Sequence, residues 1–170
     1  MFLTRHRELL GRMFSVSANY MPKEGQRMAV VDPFVHSLQW SRRFIGLKLF
    51  LTLATTGWSG YAQVLRHQAE MGKLLHERLI AGGWNVVNRT ELPLVCFTPA
   101  NENWDMAMHQ KAADAVVASG KAWISSVLLG GKVPALRACI TNYRTGTQDI
   151  ETLVAVLAEV RDAVVARRCG

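Results

Sequence analysis

The feature that most constrains the fold is a strongly apolar stretch, "RRFIGLKLFLTLATT", at residues 42–56. Its large apolar residues recur too often to share one stripe of a helix, so a helix here must be buried on several sides. Ser41 stands at the predicted N-cap, and Gly57 is predicted to end the helix in the left-handed conformation. The stretch includes Lys48 and is far shorter than the ~20 residues that span a bilayer, so we predict no membrane span.

A second helix is predicted over residues 59–81. Apolar residues recur there at helical spacing, and charged residues occupy the opposite face in pairs of opposite sign. This pattern is typical of a surface helix that packs on a core. The residues predicted to face the core are Tyr61, Val64, Leu65, Gly72, Leu75 and Leu79.

Short strands and two further helices fill the rest of the chain. The predicted strands are "WNVVN", "LVCFTPA", "KAWISSVLL" and "VPALRACIT", and the predicted helices cover residues 103–119 and 147–167. In the first of these helices the predicted inner face holds Trp104, Met108, Ala112, Ala115 and Val116. The sequence therefore predicts an α+β fold in which helices cover one face of a mostly antiparallel sheet of about four strands.

Composition narrows the functional class. The chain has 170 residues and a formal charge of +7, but its longest basic groupings are Arg42-Arg43 and Arg167-Arg168. Neither grouping lies among the interleaved aromatic residues that are typical of a single-strand binder, so dedicated nucleic-acid binding is disfavoured. Three cysteines without a CxxC pair indicate neither a disulfide framework nor a zinc site, and they fit a reducing cytoplasm.

The five histidines do not form a metal-binding pattern. None is spaced as HxxxH or HxH, and we expect all five to lie on the surface or in loops. We therefore predict no metal site. They are His6, His36, His67, His76 and His109.

Residues 15–37 show neither helical nor strand periodicity and carry Tyr20 near their polar end. Loops of this length are uncommon in compact domains, and they are often lids or binding loops. From the residues alone, Tyr20 is either a functional side chain or a tyrosine packed at the base of a loop.

Four segments carry a resemblance to a known family: "LTRHRELLGRMFSVSANYMP", "HSLQWSRRFIGLKLFLTLATTGWSGY", "LPLVCF" and "ALRACITNYRTGTQDIE". Together they resemble the C-terminal part of the group II pyridoxal-phosphate-dependent decarboxylases, which act on aromatic amino acids, histidine, glutamate and related substrates. The resemblance implies the small C-terminal domain of a fold-type I enzyme, preceded by a long interface helix. Residues 1–40 would be a remnant of the large domain with an active-site loop, and residues 41–170 would form the helices and the small domain.

The resemblance also implies a coenzyme, pyridoxal phosphate, that this chain does not bind covalently. In the family a lysine, usually directly after a histidine, holds the coenzyme. No His-Lys dipeptide occurs in this sequence. We therefore expect the chain alone to be inactive and to need an N-terminal coenzyme-binding domain, an amino acid substrate and a second subunit in a homodimer.

Three residues inherit roles from the resemblance. Tyr20 matches the loop tyrosine that protonates the α-carbon after carbon dioxide leaves. Arg137 matches an arginine near the substrate carboxylate, although a strand arginine paired with a surface acid is the alternative. Ser41 matches a helix start close to the phosphate bound by the other subunit, and its alternative is a simple N-cap.

Two other functions remain open at this point. The chain could be a non-catalytic interaction or dimerisation domain that pairs with a separately encoded half. It could also be a basic nucleic-acid module, which a steep salt dependence of DNA binding would reveal.

Overall fold

The computed structural model describes residues 5–14 and 44–166. The chain divides into two compact units, Met1–Thr55 and Thr56–Gly170, and each is described by itself. The elements in chain order are α1 (Arg7–Phe14), α2 (Ile45–Ala81), β1 (Trp84–Val86), β2 (Leu94–Pro99), α3 (Met106–Ala118), β3 (Ser125–Leu129), β4 (Val133–Cys139) and α4 (Thr147–Ala166).

Gly57 interrupts α2 where the sequence predicts a helix end. Its φ of 65° is positive, as predicted, but its ψ of 174° is extended rather than left-handed helical. This combination is essentially restricted to glycine, because a Cβ atom would clash with the backbone. The break is therefore encoded by the glycine, and a second helical segment follows it directly.

The described part of the first unit exposes large apolar side chains. Phe44 is 76 % exposed, and Leu47, Leu49, Phe50 and Leu51 are exposed as well. The sequence predicts that this helix is buried on several sides, whereas these side chains are exposed in the chain by itself.

The second unit contains a four-stranded sheet of order β1-β2-β4-β3, in which every neighbouring pair is antiparallel. A glycine pair makes the β3–β4 hairpin turn, since Gly130 and Gly131 both have positive φ, as a type I′ turn requires. Helix α3 connects β2 to β3. The predicted α+β fold with an antiparallel sheet of four strands is confirmed.

One hydrophobic core joins the sheet to the helices of the second unit. Fully buried side chains come from α2 (Leu75, Leu79), the sheet (Phe97, Leu136), α3 (Ala112, Val116) and α4 (Leu157). Two predicted inner residues are exposed instead, Leu65 in α2 and Ala115 in α3. The spacing of apolar residues shows which side of a helix faces the core, but it does not show how wide the covered face is. The neighbouring elements cover a narrower face of each helix than the sequence pattern predicts.

His109 corrects the prediction that every histidine lies on the surface or in a loop. It is fully buried in α3, where its Nδ1–H donates to the Asp105 carbonyl at 2.8 Å. The Thr98 hydroxyl donates to its Nε2 at 3.0 Å, and the Trp104 ring lies 5.5 Å away, centroid to centroid. Both ring nitrogens are thus satisfied by a neutral imidazole.

Burial lowers the pKa of His109, while the Asp105 carbonyl and carboxylate partly oppose that shift. Below about pH 6.5 the unfolded chain therefore binds more protons than the folded chain, so acid destabilises the fold. We expect the free energy of unfolding, from urea titrations followed by tryptophan fluorescence, to fall between about pH 7 and pH 5. A His109→Gln variant should lose most of this pH dependence, whereas the exposed control His76→Gln should keep it. Equal pH dependence in both variants would contradict this assignment.

Candidate functional site

Arg137 lies in the middle of β4, in a row of three side chains that crosses three strands. It pairs with Cys96 of β2 on one side and with Ser125 of β3 on the other. Residues directly opposite each other in an antiparallel sheet project from the same face, with Cβ atoms about 4.5–5.5 Å apart. The three side chains therefore share one face of the sheet.

The neighbouring row identifies the opposite face. Phe97, Leu136 and Ser126 are paired across the same three strands. Phe97 and Leu136 are fully buried in the core, and the Ser126 hydroxyl donates to Gln110 Oε1 of α3 at 2.6 Å. Because successive side chains on a strand alternate between faces, the row of Arg137 projects away from this helix layer.

Asn88 fixes the strand that supports Cys96. Its Oδ1 accepts from the Cys96 backbone N–H at 2.7 Å, and its Nδ2 donates to the Leu94 carbonyl at 2.9 Å. The Val87 N–H donates to the Cys96 carbonyl at 2.8 Å. These bonds continue the pairing of β2 past the end of β1 and keep the row in register.

The positive charge of Arg137 affects the pKa of the Cys96 thiol. Burial raises the pKa of Cys96, and the nearby guanidinium acts in the opposite direction. Cys96 is almost fully buried, whereas Arg137 is half-buried. The row thus combines a positive, partly accessible group with two buried neighbours, an arrangement suited to an anion.

Ser125 is the member of the row that the sequence analysis missed. Its hydroxyl is buried and has no hydrogen-bond partner, and it is the one such side-chain atom among residues 5–14 and 44–166. No local motif marks this serine, because its position beside Arg137 depends on the pairing of strands that are distant in sequence.

The other predicted site residues cannot be compared with Arg137. Tyr20 and Ser41 lie outside the described residues, as do the loop at 15–37 and the Arg42-Arg43 pair. The roles predicted for Tyr20, Ser41 and Arg137 therefore stay predictions.

A separate groove of about 270 Å³ lies between α2 and the loop that joins β1 to β2. Its lining includes Lys73, His76 and Glu77 from the helix, and Asn88 and Glu91 from the loop. Arg137 does not line it. Since acids and bases are mixed in this lining, it does not define a class of ligand.

Within the described part of the chain, no three histidine, cysteine or acidic side chains group as metal ligands would. No helix there is long and apolar enough to cross a membrane.

Solved structures share this architecture. The Rhodiola rosea 4-hydroxyphenylacetaldehyde synthase matches with a TM-score of 0.62 and 24 % identity, over 79 % of this chain and 30 % of its own. Mouse CSAD in its apo form matches with a TM-score of 0.61 and 20 % identity, over 91 % of this chain and 34 % of its own. Oryza sativa TDC with PLP and tryptamine matches with a TM-score of 0.61 and 20 % identity, over 74 % and 28 %. The fold is therefore that of one part of these larger chains.

The sequence assigns the family. Residues 1–100 match the family described as the pyridoxal-dependent decarboxylase conserved domain, and the chain belongs to this family. The curated 4-hydroxyphenylacetaldehyde synthase of Rhodiola rosea is 25 % identical over 157 residues, which are 89 % of this chain and 31 % of that protein. The chain thus spans about a third of the length of this relative. The resemblance to group II decarboxylases, and pyridoxal phosphate as the coenzyme of the family, are confirmed.

The Arg137 row offers hydrogen-bond donors that a carboxylate could accept. A guanidinium beside a hydroxyl that lacks a partner suits a carboxylate, which accepts several hydrogen bonds. Among the described residues we assign none to the coenzyme phosphate, since Ser41 lies outside them.

Proposed function

We propose that these 170 residues are the C-terminal portion of a pyridoxal-phosphate-dependent amino acid decarboxylase, and that they are inactive without the coenzyme-binding domain of the family. One observation carries the proposal: residues 1–100 match the family, yet no lysine follows a histidine anywhere in the sequence. The covalent attachment of the coenzyme would then come from the coenzyme-binding domain, outside these 170 residues. The expected compartment is the cytoplasm.

Each predicted site residue has a distinct task in this proposal. Arg137 holds the carboxylate of the amino acid through the two parallel hydrogen bonds that a guanidinium can donate. Tyr20 donates its phenolic proton to the α-carbon after carbon dioxide has left. Ser41 donates to the coenzyme phosphate held by the other subunit of a homodimer. When bound, the coenzyme itself supplies an electron sink.

The proposed division of the chain follows these tasks. Residues 1–40 are a remnant of the large domain and carry the active-site loop, and residues 41–170 form the helices and the small domain. The Arg137 row belongs to the second part, where the sheet supports it from β2 and β3.

The exposed apolar helix supports the need for partners. Phe44 and Phe50 are 76 % and 66 % exposed, and three leucines beside them are also exposed. Apolar surface of this kind is typical of an interface between proteins. We propose that a second subunit and the coenzyme-binding domain cover it.

The same observation favours a second candidate function. A non-catalytic interaction domain would use this apolar helix to bind a family member, without taking part in turnover. This alternative predicts a stable complex in which the Arg137 row has no effect on rate.

Co-expression tests both functions. The tagged chain is produced together with the Rhodiola rosea synthase from which the segment matching this chain has been removed, and we call the resulting complex the assembled enzyme. We expect the two to copurify with bound pyridoxal phosphate and to convert an L-amino acid to its amine and carbon dioxide. A complex without turnover would favour the interaction domain, an aldehyde as the main product would contradict simple decarboxylation, and the absence of a complex would contradict both functions.

A further inference from the structure

The buried Ser125 hydroxyl is the strongest unexplained feature of the second unit. Ser125 is 9 % exposed, and its Oγ has no hydrogen-bond partner. Burying a hydroxyl without a partner is unfavourable, so most such groups in proteins are paired. A bound ligand that accepts a hydrogen bond from this hydroxyl would therefore explain why it is buried without a partner in the protein.

The position of Ser125 indicates which ligand. It pairs directly with Arg137, and the adjacent Ser126 faces the opposite way, where it donates to Gln110. Ser125 and Arg137 thus project from the same face of neighbouring strands, with Cβ atoms about 4.5–5.5 Å apart. The Arg137 guanidinium offers several N–H donors and a positive charge, and the Ser125 hydroxyl offers one O–H donor. At this spacing the two groups can bind the two oxygens of one carboxylate.

We propose that Ser125 is a substrate-binding residue: its hydroxyl donates to one oxygen of the amino acid carboxylate that Arg137 holds. This inference rests on the proposed function and adds a second residue to that site. The site is formed by the pairing of β3 with β4, so a carboxylate bound there contacts both strands.

Adjacent serines on opposite faces provide a matched pair of variants. Ser125→Ala removes a hydroxyl without a partner, so the melting temperature of the full 170-residue chain should stay the same or rise. Ser126→Ala removes the donor to Gln110 and should lower the melting temperature. A Ser125→Ala chain that is destabilised as much as Ser126→Ala would show a structural partner and would overturn the proposal.

Binding is tested on the full chain with sodium acetate as the probe and sodium chloride at equal ionic strength as the control. The readout is the nuclear magnetic resonance shift of the Arg137 side-chain N–H. Acetate should move this signal, and Ser125→Ala should weaken its affinity about 10-fold or more, because a hydrogen bond to a charged group is lost. Ser125→Thr, which keeps the hydroxyl, and Ser126→Ala should bind acetate as the wild type does. Equal affinity in wild type and Ser125→Ala, or no shift with acetate, would overturn the proposal.

The assembled enzyme separates this proposal from the proposed function. Ser125→Ala should raise the KM for the amino acid about 10-fold or more, and Ser125→Thr should restore it. If the assembled wild-type enzyme turns over and Ser125→Ala leaves KM unchanged, the carboxylate contact is wrong while the function stands. If no assembly turns over but acetate binding depends on Ser125, the anion site stands while the decarboxylase function fails.

Discussion

Replacing Arg137 with methionine is expected to raise the KM of the assembled enzyme for its amino acid by about 30- to 1000-fold. The guanidinium is the one positively charged group of the Cys96–Arg137–Ser125 row. In the proposed site, its removal leaves the substrate carboxylate without its charged partner, and a hydrogen-bonded charge pair in a partly buried site costs about 2–4 kcal/mol to break. Steady-state kinetics over a range of amino acid concentrations give this value.

The pattern of variants separates a carboxylate contact from a general loss of charge. Arg137→Lys keeps the charge but loses the planar fork, so it should lie between wild type and Arg137→Met. Arg144 is the matched control, because it is exposed and its guanidinium lies over the Tyr143 ring, 5.5 Å from the centroid. Arg144→Met should leave KM unchanged. An Arg137→Met enzyme with wild-type KM would contradict the role given to Arg137.

The largest expected loss of stability comes from replacing Trp84 with alanine. Trp84 is 2 % exposed, and its ring meets the rings of Phe97 and Trp104 edge-on at centroid distances of 5.3 and 5.9 Å. The Arg161 guanidinium lies 5.6 Å from the Trp84 ring centroid and donates to the Gly82 carbonyl at 2.8 Å. Truncation would leave a large cavity and remove these contacts, so we expect the free energy of unfolding to fall by about 3–5 kcal/mol.

Trp123 provides the control for this change. It is 51 % exposed, so Trp123→Ala should change the free energy of unfolding by less than about 0.5 kcal/mol. Urea titrations of both variants, followed by circular dichroism, test the difference directly. Since domains are stable by only about 5–15 kcal/mol, Trp84→Ala should leave the sheet marginally stable. Equal midpoints for the two variants would place the core elsewhere.

The sequence predicted the elements of the second unit well, because their signals are local. Gly57 breaks α2 because it combines a positive φ with an extended ψ, a conformation that is essentially restricted to glycine. The Gly130-Gly131 pair closes the β3–β4 hairpin. The last helix begins at Thr147, as predicted. Helix α3 begins at Met106, three residues later than predicted, because the Asp105 side chain caps it by accepting from the Met108 N–H.

The features that the sequence did not predict depend on contacts between distant segments. The burial of His109 requires Thr98 of β2 and Asp105 on either side of its ring, and no spacing rule indicates that arrangement. Ser125 becomes a neighbour of Arg137 only through the register of β3 and β4. For the same reason, the sequence pattern places Arg137 in a strand but does not show which residues lie beside it on the two adjacent strands.

The proposal that most needs testing is that these 170 residues supply the carboxylate-binding sheet of a decarboxylase whose coenzyme lysine lies outside them. The most direct measurement is carbon dioxide release from carboxyl-labelled amino acids, with pyridoxal phosphate present, as the chain is titrated into a fixed amount of the coenzyme-binding polypeptide. We predict no release by either polypeptide alone and a rate that rises until the two are present in equal numbers. Release by the 170-residue chain alone, or a mixture that forms the complex and releases nothing, would contradict the claim.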